Sequence, residues 1–306
     1  MWKKLLLVVA TFSTFIATNS CTKGVEPDNI SNHNKILFTS NRSGNKQLYS
    51  MNPDGTDIKQ ITSGEYSHSR GKWSPDISKI ICNTSENSTT AGMQMAVMST
   101  EGTNRQLLGI GSQMTWSPNA NKIVYWICPS CESGNIGSAL FIIDIDGQNN
   151  IRLPVDGGSP DWSPNGDRII FNAMANPGDS TSHANMEIMN YPNFEITKSI
   201  GPGGAGYPAW SPNGAAIAFC MTSSVNGVSE IFSIDTSSAH TQQITSHTTL
   251  EHYIYPRWSA DGSQIIFIAV AIDGTQRTFL YMINRDGTNL RRLIDDSTVT
   301  YADWSK

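Results

Sequence analysis

A short phrase returns six times along this chain and restricts its fold more than any other feature. It reads Trp-Ser-Pro-Asp at Trp73, Trp-Ser-Pro-Asn at Trp116, Trp162 and Trp210, Trp-Ser-Ala-Asp at Trp258 and Trp-Ser-Lys at Trp304. The intervals between them are 43, 46, 48, 48 and 46 residues. Self-similarity in the forties is the spacing of propeller blades, four-stranded sheets that bury their faces only against one another. The expected fold is all-β: a six-bladed β-propeller with four antiparallel strands per blade.

The units can be laid over one another. After each phrase come a tight turn and a short apolar run, at 79–82, 122–125, 168–171, 216–219 and 264–267. Runs rich in β-branched and aromatic residues between turn residues read as buried strands. Alternating segments follow, as at 47–51, 140–144 and 279–283, and then a hairpin glycine, Gly55, Gly102, Gly147 or Gly287, that supplies positive φ. A fourth strand closes the unit, as at 58–62 and 290–293. Two units lack the glycine, at Tyr191-Pro192-Asn193 and Asp235-Thr236-Ser237, so their hairpins are expected to be longer or differently turned.

The ends of the chain bear on closure. Residues 35–38 match the run that elsewhere follows a Trp phrase, and nothing follows the last phrase at Trp304. The two halves balance if 301–304 pairs with 35–40, which would seal the open edge of the ring. The tryptophans themselves fit a packing role between sheets, each burying area worth roughly 2–3 kcal/mol.

The unit resembles the TolB-type propeller repeat, also called the WD40-like or PD40 repeat. The fullest match is Tyr-Pro-Arg-Trp-Ser-Ala-Asp-Gly-Ser-Gln-Ile-Ile-Phe at 255–267, continued by Leu-Tyr-Met-Ile-Asn-Arg-Asp-Gly-Thr-Asn at 280–289. The resemblance covers 35–306 and implies the six-bladed ring as one domain. Relatives include periplasmic translocation partners, propeller lids on peptidases and a metal-dependent lyase of pectin fragments, so it leaves the activity open. TolB's separate N-terminal α/β domain is not expected, because Lys35 follows Cys21 by only fourteen positions.

Residues 1–20 read as a signal peptide, with Lys3 and Lys4 before an apolar stretch from Leu5 to Ala17. The sequence Thr18-Asn19-Ser20-Cys21 resembles a bacterial lipobox, although the usual leucine is Thr18. On that reading Cys21 is lipidated, 21–34 is a tether, and Thr22 points to the outer membrane. An ordinary signal peptide with Cys21 incidental is the competing reading. Loss of the two leader lysines takes the net charge from −5 to −7, and a mildly acidic chain without a basic stripe argues against nucleic acid. Cys82 and Cys220 lie in core positions. Cys128 and Cys131 form a CxxC without the βαβ context of a redox motif or a second zinc ligand pair, and a loop disulfide is expected.

Function is sought around the channel. Three places before each Trp stand Arg70, Gln113, Ser159, Tyr207, Tyr255 and Tyr301. Five places before, on the same side by alternation, stand His68 and Tyr253 among smaller residues, with Glu251 and His252 near the rim. Arg70, His68, Tyr207, Glu251, His252, Tyr253, Tyr255 and Tyr301 thus form the candidate ligand site at the channel mouth; the alternative is that the tyrosines plug the channel. His240, His247 and His252 could in principle hold a metal, but their irregular spacing favours solvated histidines. No catalytic constellation, metal site or cofactor is expected. The long polar loops 85–93 and 174–185 are candidate partner contacts. Two functions fit: a monomeric, lipid-anchored scaffold that offers its channel mouth to an envelope protein segment or glycan, or, by resemblance, a metal-dependent polysaccharide lyase or hydrolase.

Overall fold

The computed structural model describes residues 33–89, 92–127, 138–173, 185–223, 227–246 and 251–305. Within them the chain is an all-β propeller, its elements being antiparallel strands. Cys21, Cys128, Cys131 and His247 lie outside the described residues, as does 174–184. In the other long loop, 85–89 instead continues the strand Lys79–Thr89.

Each turn is closed by the serine of its Trp phrase. The hydroxyls of Ser74, Ser117, Ser163, Ser211 and Ser259 accept the backbone N–H five residues on, at 2.9–3.0 Å. The same serines donate to nearby side chains, as Ser211 does to Asn213 at 2.8 Å and Ser259 to Asp261 at 2.6 Å. The left-handed position that ends the turn is Gly166, Gly214 or Gly262 in three units, but Ile77 and Ala120 in the other two. The two hairpins without glycine are one residue longer. Ala239 N–H reaches back to Asp235 O and Phe194 N–H to Asn190 O, and the positive φ passes to Ala239 and Phe194.

The hydrogen bonding departs from six separate four-stranded sheets. Among the described residues, four sheets have four strands and one has seven. The cause is the twelve-residue strand Ile151–Trp162, which pairs with Ala139–Asp144 at its start and with Arg168–Ala173 at its end. The segment Leu153-Pro154-Val155-Asp156-Gly157-Gly158 stays extended where other units loop, and so fuses two units into one sheet. At the termini, Tyr301–Trp304 pairs antiparallel with Ile36–Ser40, Trp304 opposite Ile36 and Tyr301 opposite Thr39.

Packing runs between neighbouring sheets. One apolar cluster joins Ala209, Ala218 and Ile231 to Tyr253, Trp258, Phe267 and Ala269, and another joins Ile36, Phe38 and Met51 to Ile266, Leu280 and Met282. All six tryptophans of the phrases are buried. Trp116 and Trp258 also donate their indole N–H to the Lys72 and Ala209 carbonyls of the preceding unit, at 3.2 and 3.1 Å. These bonds add direction to contacts that are otherwise apolar.

Candidate functional site

Each Trp ends an inner strand: His68–Trp73, Ser112–Trp116, Ile151–Trp162, Ala205–Trp210, Glu251–Trp258 and Tyr301–Trp304. The first five share an irregularity. Their pairing skips two residues, and the residue three before Trp has positive φ: Arg70, Gln113, Ser159, Tyr207 and Tyr255, at 50–56°. This is a bulge that frees a backbone N–H and re-aims a side chain, at a cost of about 1–2 kcal/mol for a non-glycine residue. In three units the freed N–H is recaptured from the preceding unit. Arg70 N donates to Thr39 Oγ1 at 3.1 Å, Ser159 N to Gln113 Oε1 at 2.6 Å and Tyr207 N to Asn172 Oδ1 at 3.0 Å.

The bulge brings four of the predicted residues together. Tyr207 packs on Tyr255 with ring centroids 4.4 Å apart, and Tyr255 meets Tyr301 edge-on at 5.6 Å. The Arg70 guanidinium lies 5.5 Å over the Tyr255 ring and reaches its hydroxyl at 3.4 Å. With Gln113 and Ser159 these groups enclose only about 20 Å³, room for roughly one water. The tyrosines leave no ligand-sized space at this level. Burial, then the neighbouring Tyr255, pushes the Tyr207 phenol well above its ordinary value, and burial takes Tyr301 up to about 12. Both remain neutral donors at physiological pH.

The same bulge breaks the alternation that placed the other four residues beside them. Tyr253 is buried between sheets, 4.7 Å from Phe267 and 5.9 Å from Tyr281. His252 Nδ1 accepts the Ser229 N–H at 3.1 Å, and Glu251 accepts the Tyr253 hydroxyl at 3.5 Å. His68, 1% exposed, lies in a seam between units. Its Nδ1 contacts Gln47 Oε1 at 3.2 Å and its Nε2 contacts Arg105 at 3.2 Å, and Arg105 in turn pairs with Glu86. Arg105 can only donate, so Nε2 is the acceptor and Nδ1 carries the proton toward Gln47 Oε1.

Burial, then the Arg105 charge, lowers the His68 pKa below 6.5. Below pH 6.5 the unfolded imidazole binds a proton that the folded one refuses. Stability is therefore complete above that pH and falls as pH drops through it, by at most about 1.4 kcal/mol per unit until the folded pKa is reached. Denaturant midpoints of wild type and His68→Gln between pH 7 and 5 check this. The variant should lose the part of the slope that His68 supplies, and parallel curves would remove the histidine from the explanation.

A larger space lies at the Trp end of the inner strands. All six phrase tryptophans, with Pro75, Pro118, Pro164 and Pro212, line a cavity of about 280 Å³. Its floor is the ring of residues immediately before the tryptophans: Lys72, Thr115, Asp161, Ala209, Arg257 and Asp303. Lys72 Nζ stands 3.8 Å from Asp161, and Arg257 Nε stands 3.8 Å from Asp303. Both carboxylates also accept backbone N–H groups across units, Asp161 from Trp210 at 2.8 Å and Asp303 from Trp73 at 3.0 Å. Arg257 donates to the Tyr301 hydroxyl at 2.8 Å. Burial opposes its charge, but Tyr301, Asp161 and Asp303 outweigh that and hold the proton more tightly than usual. The result is a blind funnel with apolar walls and a charge-balanced floor. Sequence reasoning missed this floor, although four charged residues directly before core tryptophans were a visible signal.

The cysteines and histidines add no further chemistry within the described residues. Burial pushes the Cys82 and Cys220 thiols up to about 12, so neither is a nucleophile at neutral pH. No three His, Cys, Asp or Glu side chains among the described residues come together as metal ligands would. No helix of the described residues is long and apolar enough to cross a membrane.

Comparison with known proteins agrees with the propeller fold. A search of curated proteins finds no match. Among solved structures, TolB from Acinetobacter baumannii superposes with TM-score 0.71 at 16% identity, over 89% of this chain and 66% of that one. A putative TolB from Agrobacterium tumefaciens gives 0.64 at 16% identity, over 89% and 98%. Oligogalacturonate lyase from Vibrio parahaemolyticus gives 0.57 at 16% identity, over 85% and 74%. The chain thus spans just under two thirds of the Acinetobacter protein, and at such identities the likeness is one of fold. The family model described as the TolB beta propeller domain matches residues 10–164 and 139–306, and the chain belongs to that family.

Proposed function

We propose that the protein is a cell-envelope binding scaffold whose recognition end is the tryptophan funnel, which receives a protein segment or glycan of the envelope. One observation carries this reading: the inner strands leave no ligand-sized space at the tyrosine level and about 280 Å³ at the tryptophan end. That space is close to the smallest ligand pockets and suits an inserted side chain or a sugar unit better than a free drug-sized molecule.

The reading includes six sectors, with the seven-stranded sheet counting as two, in a ring sealed by the pairing of residues 301–304 with 36–39. In this picture residues 35–306 form the domain, 1–20 direct export, and 21–34 tether it from a lipidated Cys21 to the outer membrane, as a monomer. Arg70, Tyr207, Tyr255 and Tyr301 then form the stop beneath the ligand. His68, Glu251, His252 and Tyr253 would act only through the seams between sheets. The lyase alternative rests on likeness of fold to oligogalacturonate lyase, and the described residues offer no grouping that fits a metal.

The test is recovery of an envelope partner by chemical cross-linking in intact cells. Charge placed on the rim by Pro164→Arg or Pro212→Arg should abolish the adduct, whereas Tyr207→Phe should leave it intact. An adduct indifferent to the rim variants would move the docking surface elsewhere.

A further inference from the structure

Units that share a register place equivalent side chains in equivalent surroundings, so a unit lacking one of them leaves a space of known shape. The first residue of the strand after each turn faces the end of the next strand. The pairs are Lys79 and Ser99, Lys122 and Asp144, Arg168 and Asn190, Ala216 and Asp235, and Gln264 and Asn284. Lys35 and Asn52 hold these places in the N-terminal unit, one step before the Ile36–Met51 pair. Three of the long side chains cross to their partners. Lys122 Nζ forms an ion pair with Asp144, Lys35 Nζ meets Asn52 Oδ1 at 2.6 Å, and Gln264 Nε2 meets Asn284 Oδ1 at 3.3 Å. In the Ala216–Asp235 pair the long side chain is missing, and the partner is an aspartate.

The space is there. A groove of about 420 Å³ lies over Ala216 and Asp235, bounded by Asp261, His240 and Arg285 and by Ser233, which stands where other units place Ile142 and Met282. Two small side chains, Ala216 and Ser233, thus open what longer ones fill elsewhere. Asp235 is fixed in position: its Oδ1 accepts the backbone N–H groups of Ser237 and Ser238, at 2.9 and 2.7 Å, and both their hydroxyls, at 2.6 and 3.0 Å. Those bonds, that of the Ser237 hydroxyl first, hold its carboxyl far below the usual carboxylate range, so it is charged. It makes no ion pair among the described residues, and Lys198 of the preceding unit stops at the Thr236 carbonyl, 2.8 Å away. Asp261 is held likewise by Ser259 and Ser263.

We propose that this groove binds an alkylammonium group, and that its occupant is a lysine side chain of a protein partner. The lysine would take the place that Lys122 and Lys35 fill from within their own units. Charge decides the ligand's sign at the Asp235 end, and the space vacated by a four-carbon arm decides its length. Arg285 on the far wall is a donor for the carbonyls of the chain bearing the lysine. The groove shares Pro212 and Trp258 with the funnel, yet the proposal does not require the funnel to bind anything.

Chemical-shift titration of the intact protein tests it, with Nα-acetyl-lysine methylamide, its uncharged norleucine isostere and glucosamine as probes. The lysine compound should shift Ser233 and Gln242, norleucine should not, and glucosamine should bind more weakly. Asp235→Asn should weaken the lysine compound about fivefold, the scale of one exposed ion pair, and Ala216→Lys should silence the response by filling the space. Should Ala216→Lys not fold, Asp235→Asn still decides. Equal shifts with norleucine, tighter binding of glucosamine, an unaltered response in Asp235→Asn or no response to lysine would each overturn the proposal.

Discussion

Removal of residues 301–306 is expected to abolish cooperative folding, not merely shorten the chain. The strand Tyr301–Trp304 supplies the inner edge of the N-terminal sheet, with Tyr301, Ala302 and Trp304 at 5%, 2% and 2% exposure. Its contacts are tied at several points. Lys35 N donates to Ser305 Oγ at 2.7 Å, the Trp304 indole donates to Asn34 at 2.8 Å, and Asp303 takes the Trp73 N–H of the next unit. Trp304→Ala alone should cost about 3–5 kcal/mol, the scale of deleting a buried large aromatic. The whole strand adds four ladder positions and the Asp303 contacts, and the sum rivals the about 5–15 kcal/mol that stabilises a typical domain. Urea unfolding followed by tryptophan fluorescence checks both variants. A truncated chain with an unchanged midpoint would show that the terminal pairing does not hold the sheets together.

Asp161→Ala is expected to be nearly as damaging, by about 3–5 kcal/mol, the cost of removing one partner from a buried charge pair. Asp161 connects four units. It stands in its own inner strand, accepts from Thr115 at 3.1 Å on one side and from Trp210 N at 2.8 Å on the other, and lies 3.8 Å from Lys72 beyond Thr115. Alanine leaves the Lys72 ammonium and the Trp210 N–H facing a vacated site among largely buried groups. Asp161→Asn loses the charge but keeps the shape and one acceptor oxygen, which can serve the Trp210 N–H while its amide nitrogen turns to the Thr115 hydroxyl, so it should retain more stability than alanine. Equal losses in the two would mean that the charge on Asp161, and not its shape and hydrogen bonds, dominates.

Much of the fold was legible because each unit repeats local chemistry. Serine, proline, asparagine and glycine after each Trp mark the turn, and the hairpin glycines Gly55, Gly102, Gly147 and Gly287 all adopt positive φ. The fused sheet was hidden because Pro154, Gly157 and Gly158 look like a loop, whereas the strand Ile151–Trp162 runs through them. His68 and Tyr253 were misplaced because strict alternation fails across a bulge. Pro160, Pro208 and Pro256, two residues before their tryptophans, were a usable warning, since proline cannot donate to a ladder. Arg70, Tyr207, Tyr255 and Tyr301 were brought together as counted, but with no ligand-sized space between them. Ala216 carried no signal until the register set it opposite Asp235.

Placing the docking surface at the tryptophan end has one direct check: photo-cross-linking from opposite ends of two inner strands in intact cells. A benzoylphenylalanine at Pro118, on the funnel rim, should yield a discrete adduct, and the same residue at the exposed Tyr66, before the start of the strand His68–Trp73, should yield none. The reverse pattern would contradict the assignment of the recognition end.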